Sequence, residues 1–225
     1  NVPLVIGVTG SIATGKGLVC QALVEMGAVH SDADRVAHRL YDPGTYGFES
    51  VVAAFGREVV GEDGYIDRRL LGGMVFGKPE EMRKLTTAIG DIGAAVQGVI
   101  DDWRATLGGD ATCVMESVNH VEAGYGQWTD VTWLIACDQD LARQRLMARN
   151  GFTREEADQR LASQRPWDER AAAADLVLFN NGTPKDLVAK VKEEVRQVRA
   201  LWDRNGLPES RYQEWWRVLV AERQG

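Results

Sequence analysis

The chain has 225 residues, of which 44% are hydrophobic and 26% charged, an ordinary composition for one globular α/β domain with a sizeable core. The formal net charge of −7 argues against a general nucleic-acid or membrane-surface binder, but not against a nucleotide substrate, because phosphate sites are local. No segment approaches 18 apolar residues and no signal-peptide pattern is present, so we expect a cytoplasmic protein, whose oligomeric state the sequence does not give.

The first predicted element is an apolar strand at residues 4–9, and a phosphate-binding pattern follows it directly. Gly10, Gly15 and Lys16 fit the loop motif G-x-x-x-x-G-K, and helical spacing begins at Leu18. In such a loop the backbone N–H groups point at an anion, the helix adds its positive dipole end, and the lysine reaches the β- and γ-phosphates. The sequence therefore predicts a nucleotide-phosphate site at this loop.

Gly17 departs from the motif, which normally continues with Ser or Thr. The hydroxyl at that position ligates the Mg²⁺ that bridges the nucleotide phosphates, and glycine has no side chain to do so. Three interpretations stay open: another oxygen, water included, replaces the hydroxyl; metal use is weakened; or the protein binds nucleotide without turning it over.

Asp32 and Asp34 follow the second predicted strand, at residues 28–31. Residues two apart in an extended chain point to the same side, so the loop can present two carboxylates together. A kinase needs one carboxylate to accept the proton of the acceptor hydroxyl and another to hold magnesium or its waters. The alternative is a solvated turn in which an aspartate caps the next helix, and spacing alone does not decide between the two.

Two mainly helical regions depart from the strand–helix alternation. In residues 45–104 the helical pattern is interrupted at 61–64. Residues 141–174 contain seven arginines and an Asn-Gly turn at 150–151. An arginine-rich segment can close over phosphates as a lid, although pairing with nearby acidic residues explains most of these arginines as a solvated helix face. Arg149, beside the turn where a lid would hinge, is the one that we expect at the phosphates.

Three further strands are predicted, at 112–117, 131–137 and 176–179. With the first two they indicate a parallel sheet covered by helices on both faces, in which ligands bind beyond the carboxyl ends of the strands. His120 follows the third strand, where it could touch substrate, although a surface histidine is the simpler interpretation. Beyond Leu201, Trp215, Trp216 and Leu219 fall at i, i+1 and i+4, which predicts a helix docked on the body.

The cysteines and histidines do not suggest a metal centre. Cys20, Cys113 and Cys137 are an odd number without close pairing, which favours buried free thiols in a reducing compartment. His30 and His38 lack the spacing with cysteine that is typical of zinc sites.

In this order the motifs resemble those of the dephospho-coenzyme A kinase family, over about residues 4–201. The matching segments are 6–10, 15–16, 32–37, 43–47, 55–56, 63–68, 71, 75–76, 145–149, 164, 174–175 and 181–182. The resemblance implies a P-loop NTPase-type three-layer α/β fold with a five-stranded parallel sheet. It divides the chain into a kinase domain at 1–200, with a helical acceptor region at 45–104 and an arginine-rich lid at 141–174, and a helical tail at 201–225.

The resemblance also implies an activity, the ATP-dependent phosphorylation of the ribose 3′-hydroxyl of dephospho-coenzyme A, with ATP and Mg²⁺. Lys16 would hold the ATP phosphates, Asp34 would be the general base, Asp32 would support magnesium or the lysine, and Arg149 would be the lid arginine. The implied ATP-binding residues are Gly10, Ser11, Ile12, Ala13, Thr14, Gly15, Lys16, Gly17 and Leu18, with Asn181 near the adenine. Those implied for the nucleotide-like acceptor are Thr9, Asp34, Glu116 and His120.

Three departures from the family pattern keep other functions open. Besides Gly17, a His-Pro pair of the acceptor region is replaced by Gly90-Asp91, and an apolar Pro-Leu-Leu by residues 118–120, Val-Asn-His. The polar Glu116, Asn119 and His120 would suit a nucleobase or phosphate, which makes a nucleoside or deoxynucleoside monophosphate kinase the first alternative. A nucleotide-binding protein with little turnover is the second.

Overall fold

A computed structural model describes residues 2–224. Residues 1 and 225, the outer ends of the two predicted domain ranges, lie outside the described residues. Five strands in the described chain form one sheet. The strands are β1 (Leu4–Gly10), β2 (Val29–Asp32), β3 (Thr112–Glu116), β4 (Val131–Ala136) and β5 (Leu176–Phe179). Their order is β2-β3-β1-β4-β5, and β1 pairs in parallel with β3 and β4, as does β4 with β5. The predicted five-stranded parallel sheet is confirmed, with strand ends within about one residue of those expected.

Eleven α-helices connect and follow the strands in the described chain. They are α1 (Lys16–Glu25), α2 (Ala33–Arg39), α3 (Tyr46–Phe55), α4 (Arg68–Val75), α5 (Pro79–Ile89), α6 (Ile92–Thr106), α7 (Gln139–Asn150), α8 (Arg154–Ala162), α9 (Trp167–Arg170), α10 (Pro184–Asp203) and α11 (Arg211–Gln224). None of the helices in residues 2–224 is long and apolar enough to cross a membrane.

The backbone contacts divide the chain into two units. The described residues up to Ser31 and from Val99 onward form the sheet unit, and Asp32–Gly98 form the helical unit. In the sheet unit, β1 is buried along its whole length because it lies between β3 and β4, which explains its continuous apolar sequence. Leu4 and Ile6 of this strand belong to the core cluster that α1 and α10 complete.

The helical unit has a small core of its own. Val51 and Phe55, one turn apart on α3, pack with Leu71 and Val75, one turn apart on α4. The predicted interruption at 61–64 is a tight turn, closed by an antiparallel bridge of Val60 with Ile66. These two helices and the turn between them therefore fold as one packed motif.

The tail helix α11 docks on the sheet unit, as predicted. Tyr212 is fully buried, its hydroxyl donates to the carbonyl of Val121 at 2.7 Å, and Trp215 and Trp216 pack beside it. At the start of the helix the Asp175 carboxylate accepts hydrogen bonds from the Ser210 hydroxyl at 2.6 Å and the Arg211 N–H at 2.7 Å. The tail thus fixes the segments that precede β5 and follow β3.

Candidate active site

The loop between β1 and α1 requires glycine at two positions. A Cβ on Gly10 would lie 2.4 Å from the carbonyl oxygen of Ile135, because β1 and β4 approach closely there. Gly15 has φ +103°, and its Cβ would lie 2.4 Å from Nδ2 of Asn180. Side chains are excluded at both sites, so the two glycines of the motif follow from backbone geometry and close packing.

The loop is closed by its own hydrogen bonds. The Ser11 carbonyl accepts from the Thr14 hydroxyl at 2.8 Å and from the Lys16 ammonium at 3.1 Å. Asn180, buried at the end of β5, donates from Nδ2 to the Thr14 carbonyl at 2.9 Å. Helix α1 begins at Lys16, so its N-terminal N–H groups and positive dipole end lie at this loop, together with the lysine charge. The arrangement is that of an anion-binding loop.

Gly17 faces open space. No atom lies within 4 Å of the Cβ position it would have, and the residue is exposed on the first turn of α1. Packing therefore gives no reason for a glycine here, in contrast to Gly10 and Gly15. The open space leaves room for a water molecule where the motif normally has a hydroxyl.

A cleft of about 900 Å³ opens beside the loop, within the usual size of small-molecule sites. It is lined by Ser11, Ile12, Thr14, Gln164, Arg165, Pro166, Trp167 and residues 136–142, among others. The 164–167 segment is bonded to the loop, since the Ile12 N–H donates to Oε1 of Gln164 at 2.6 Å and the Ser11 hydroxyl donates to the Arg165 carbonyl at 3.3 Å. The predicted lid therefore forms one wall of the cleft.

Asn181 lies at the edge of the cleft, where it pairs with Asp138. The Asp138 N–H donates to Oδ1 of Asn181 at 2.8 Å, and Nδ2 of Asn181 donates to the Asp138 carboxylate at 3.1 Å. Asp138 is a lining residue, so the pair presents polar groups next to the space in which a nucleobase would fit. The adenine contact of Asn181 stays a prediction.

The lid turn has the predicted geometry. Helix α7 ends at Asn150, Gly151 adopts a left-handed conformation, and the capping box of Thr153 and Glu156 begins α8. Arg149 is exposed in the last turn of α7, with its Nε donating to the Asn150 side chain at 2.9 Å. An exposed arginine at a hinge can reach a ligand, and its role at the phosphates stays a prediction.

Arg170, three residues beyond the cleft-lining segment 164–167, has a structural role that the sequence did not predict. The expectation of a solvated arginine is wrong there: its side chain is 3% exposed and donates to the Thr9 hydroxyl at 2.8 Å, to the Val118 carbonyl and to the Glu122 carboxylate at 3.2 Å. Burial lowers the pKa of its guanidinium, and Glu122 opposes this. The alanine run at 171–174 directly after it, unusual for a solvated helix, was the available signal.

Thr9, expected on the acceptor side, is part of this network. It is fully buried at the end of β1, and its hydroxyl donates to the Val118 carbonyl at 3.0 Å while it accepts from Arg170. Both hydrogen-bonding functions of the hydroxyl are thus used inside the protein. Its contact with a substrate stays a prediction that this geometry does not favour.

The surface position expected for His120 is wrong. The ring is fully buried between Gly7, where a Cβ would lie 2.1 Å from the imidazole, and the ring of Tyr212. Nε2 lies 3.3 Å from the Thr132 hydroxyl, and Nδ1 has no hydrogen-bond partner within the described chain. Burial lowers the pKa of His120 to about 3, so the ring is neutral. Because His120 has no exposed surface, the structure does not favour its predicted contact with the substrate.

Glu116 ends β3 with a half-buried carboxylate. It accepts a hydrogen bond from Nε2 of His30 at 3.1 Å, and the Cys20 thiol also donates to it. The bond from His30, then that from Cys20 and the charge of Lys16, hold the pKa of Glu116 below its usual value against the opposing effect of burial. Glu116 is therefore an anion that interacts with the charge of Lys16.

In the helical unit, Asp32 caps α2. Its Oδ1 accepts from the Asp34 N–H at 2.8 Å, which is the capping geometry that the sequence left open as an alternative. Capping uses one carboxylate oxygen, so it leaves the other for a metal or its waters. Asp34 is exposed in the first turn of the helix. Their roles in metal binding and proton transfer stay predictions.

A second cleft, of about 760 Å³, lies within the helical unit. Its lining includes His38, Tyr41, Asp42 and residues 61–63 and 65–68. Nη1 of Arg68 donates to Nδ1 of His38 at 2.8 Å, and burial, followed by the Arg68 charge, lowers the pKa of His38. The cleft can therefore offer an arginine to an anionic group of a ligand.

Comparison with known proteins identifies the relatives of this chain. A model of the dephospho-CoA kinase family matches residues 4–186. The dephospho-CoA kinase of Geobacter sulfurreducens is 37% identical over 191 residues, which cover 84% of this chain and 95% of that one. The crystal structure of TT1252 from Thermus thermophilus superposes with a TM-score of 0.72 at 29% identity, covering 88% and 99% of the two chains. The dephospho-CoA kinase from Campylobacter jejuni gives a TM-score of 0.59 at 21% identity, over 86% and 96%, and supports the fold.

Proposed function

This chain belongs to the dephospho-CoA kinase family, and on that premise we propose that it transfers the γ-phosphoryl group of ATP to the ribose 3′-hydroxyl of dephospho-CoA. The chain is a P-loop kinase by fold and by family. The observation that supports the assignment most strongly is the loop at 10–16. Its two glycines and its lysine match the motif, and its geometry permits no side chain at either glycine.

ATP binds with its phosphates on the loop and its base in the cleft beside it. The N–H groups at the start of α1 and the Lys16 ammonium neutralise the β- and γ-phosphates. The pair of Asn181 and Asp138 faces the base. Arg149, at the lid turn, stabilises the charge of the transferring phosphoryl group when the lid closes.

The Asp32 carboxylate is a suitable ligand for Mg²⁺, which supplies neutralisation of the phosphate charge when bound. Asp32 would hold it through the carboxylate oxygen that capping leaves unused, and carboxylate oxygen is a ligand that Mg²⁺ prefers. The open space beside Gly17 would hold a water in place of the usual hydroxyl. Asp34 accepts the proton of the acceptor hydroxyl.

We assign recognition of the acceptor to the helical region at 45–104, within the kinase domain at 1–200 that precedes the tail. The cleft that contains Arg68 supports this assignment, because a dephospho-CoA molecule carries a diphosphate that a guanidinium can bind. A cytoplasmic location is part of the proposal, and the three cysteines, which are buried and not joined in a disulfide, support a reducing environment.

A monophosphate kinase is less well supported than the sequence suggested. Its basis was the polar side chains of Glu116, Asn119 and His120, but His120 is buried and the Glu116 carboxylate is hydrogen-bonded to His30. The Val118 carbonyl is bonded to Thr9 and Arg170. Of residues 118–120, only Asn119 is exposed. The segment 118–120 could therefore bind a monophosphate through little besides the side-chain amide of Asn119.

An ATP-consumption assay with Mg²⁺ tests the proposal. Dephospho-CoA and a panel of ribo- and deoxynucleoside monophosphates serve as acceptors, and the position of the new phosphate is determined by NMR. We expect turnover of dephospho-CoA alone, with the phosphate on the 3′-oxygen. Turnover of one monophosphate alone would establish the alternative kinase, and ATP binding without turnover of any acceptor would establish a binding protein.

A further inference from the structure

Three side chains with metal-ligating atoms meet in the sheet unit although they are far apart in the sequence. Cys20 lies on α1, His30 on β2, and Glu116 at the end of β3. The thiol sulfur, an imidazole nitrogen and a carboxylate oxygen all lie within 4.8 Å of one another, and Nε2 of His30 is 3.1 Å from Oε2 of Glu116. We refer to these residues as the Cys-His-Glu cluster.

The spacing suits a tetrahedral metal. Two ligand atoms at about 2.0 Å from a tetrahedral zinc ion are about 3.3 Å apart, close to the observed separation of the His30 and Glu116 atoms. The three ligands come from three different elements whose ends are held by the sheet and its first helix. Only small side-chain movements are therefore needed to close the cluster around an ion.

The chemistry of the donors also favours zinc. Thiolate, imidazole and carboxylate are its three usual protein ligands, whereas Mg²⁺ prefers oxygen alone. A thiolate, a carboxylate and a neutral imidazole balance the charge of one divalent cation, which matters because Cys20 is buried. The side chains of His30 and Glu116 are 26% and 18% exposed, so an ion can enter from solvent.

We propose that Cys20, His30 and Glu116 form a zinc-binding site with three protein ligands and a fourth position open to water or a small anion. On binding, the S–H bond of Cys20 breaks and its proton goes to solvent. The Nε2 proton of His30 leaves for Nδ1 of the same ring, through solvent, and the Nε2 lone pair then binds the metal. Glu116 is already ionised, so one proton is released for each zinc bound, without any change of oxidation state.

The site extends beyond the kinase assignment and does not depend on it. Glu116 interacts with the charge of Lys16, and Cys20 follows Lys16 by four residues on the same helix. Zinc would therefore remove a negative charge close to the phosphate-binding lysine. The alternative is a hydrogen-bonded cluster that binds no metal, and a binding experiment separates the two without any measurement of turnover.

The test is a titration of the metal-free full-length protein with Co²⁺ and then with Zn²⁺. We expect one Co²⁺ per chain, a thiolate-to-cobalt charge-transfer band in the near ultraviolet, and loss of that band when one equivalent of Zn²⁺ is added. Cys20→Ala should abolish the band, and His30→Gln and Glu116→Gln should each weaken binding at least about tenfold. Cys113→Ala removes a different buried thiol and should leave the band and the stoichiometry unchanged.

Absence of the band and of stoichiometric zinc binding by the wild-type protein would overturn the proposal and leave the hydrogen-bonded cluster. Binding as tight in His30→Gln as in the wild type would overturn it too. His30 is the most exposed of the three ligands, so its variant is the one least expected to disturb folding, and thermal unfolding of each variant checks this.

Discussion

The loops that follow β1 and β3 leave the same edge of the sheet and are held in place in different ways. The phosphate-binding loop after β1 has two glycines of positive φ and two hydrogen bonds that Ser11 accepts from within five positions, and the distant Gln164 and Asn180 add one hydrogen bond each. The segment 117–122 after β3 is held by Arg170 and Tyr212, about 50 and 90 residues further on. Contacts between residues close in the sequence produce a motif that can be recognised there, whereas contacts between distant residues produce almost none.

The largest effect is expected at Lys16 in the first loop. Lys16→Ala removes the charge that neutralises the β- and γ-phosphates and should lower kcat with ATP and dephospho-CoA by at least about 10³-fold. Its thermal unfolding should stay close to that of the wild type, because the side chain is not buried. Full activity in this variant would remove the loop from the mechanism.

Asp34 tests the proton-transfer role. Asp34→Asn keeps the size of the side chain but cannot accept a proton, so kcat should fall by about 10²–10⁴-fold with the KM for ATP nearly unchanged. The matched control is Glu49→Gln, an exposed carboxylate on α3 in the helical unit that is not part of the cleft lining. A mainly weakened affinity for Mg-ATP would instead assign Asp34 to the metal site.

Arg170 tests the long-range support of the second loop. Arg170→Met leaves the Val118 carbonyl and the Glu122 carboxylate without their buried partner, and we expect about 3–5 kcal/mol lower free energy of unfolding by urea denaturation. Arg165→Met, which changes an exposed arginine of the same segment, should cost less than about 0.5 kcal/mol. An equally small cost at both positions would mean that Arg170 does not support the loop.

The same contrast explains how far the sequence predicts this molecule. The strands, the phosphate-binding loop and the capping box at Thr153 follow from periodicity and local spacing, and each was predicted within about one residue. The burial of Arg170 and His120 was not predicted, because it depends on partners that only the fold brings together. The Cys-His-Glu cluster was missed for the same reason: its ligands lie on three elements and share no local spacing.

His120 gives an effect that is small near neutral pH and grows as the pH falls. Its pKa is about 3 in the folded protein against 6.5 in the unfolded chain, so between these values the unfolded chain binds a proton that the folded one does not. Stability should therefore fall as pH decreases from 6.5 toward 3, by up to about 1.4 kcal/mol per pH unit from this group. His120→Gln, which does not titrate, should show a shallower loss in urea denaturation over this range, and an unchanged slope would contradict the argument.

The smallest effect is expected at Gly17, where the first loop departs from its motif. The space around it is open, so Gly17→Ser fits without strain and replaces glycine by a better helix residue, which should change the free energy of unfolding by less than about 1 kcal/mol. If a missing hydroxyl limits metal use, the Mg²⁺ concentration for half-maximal rate should fall several-fold, with kcat little changed. Gly17→Ala, which adds a side chain without a hydroxyl, is the matched control. An equal response to both substitutions would mean that water or another oxygen already completes the metal's coordination.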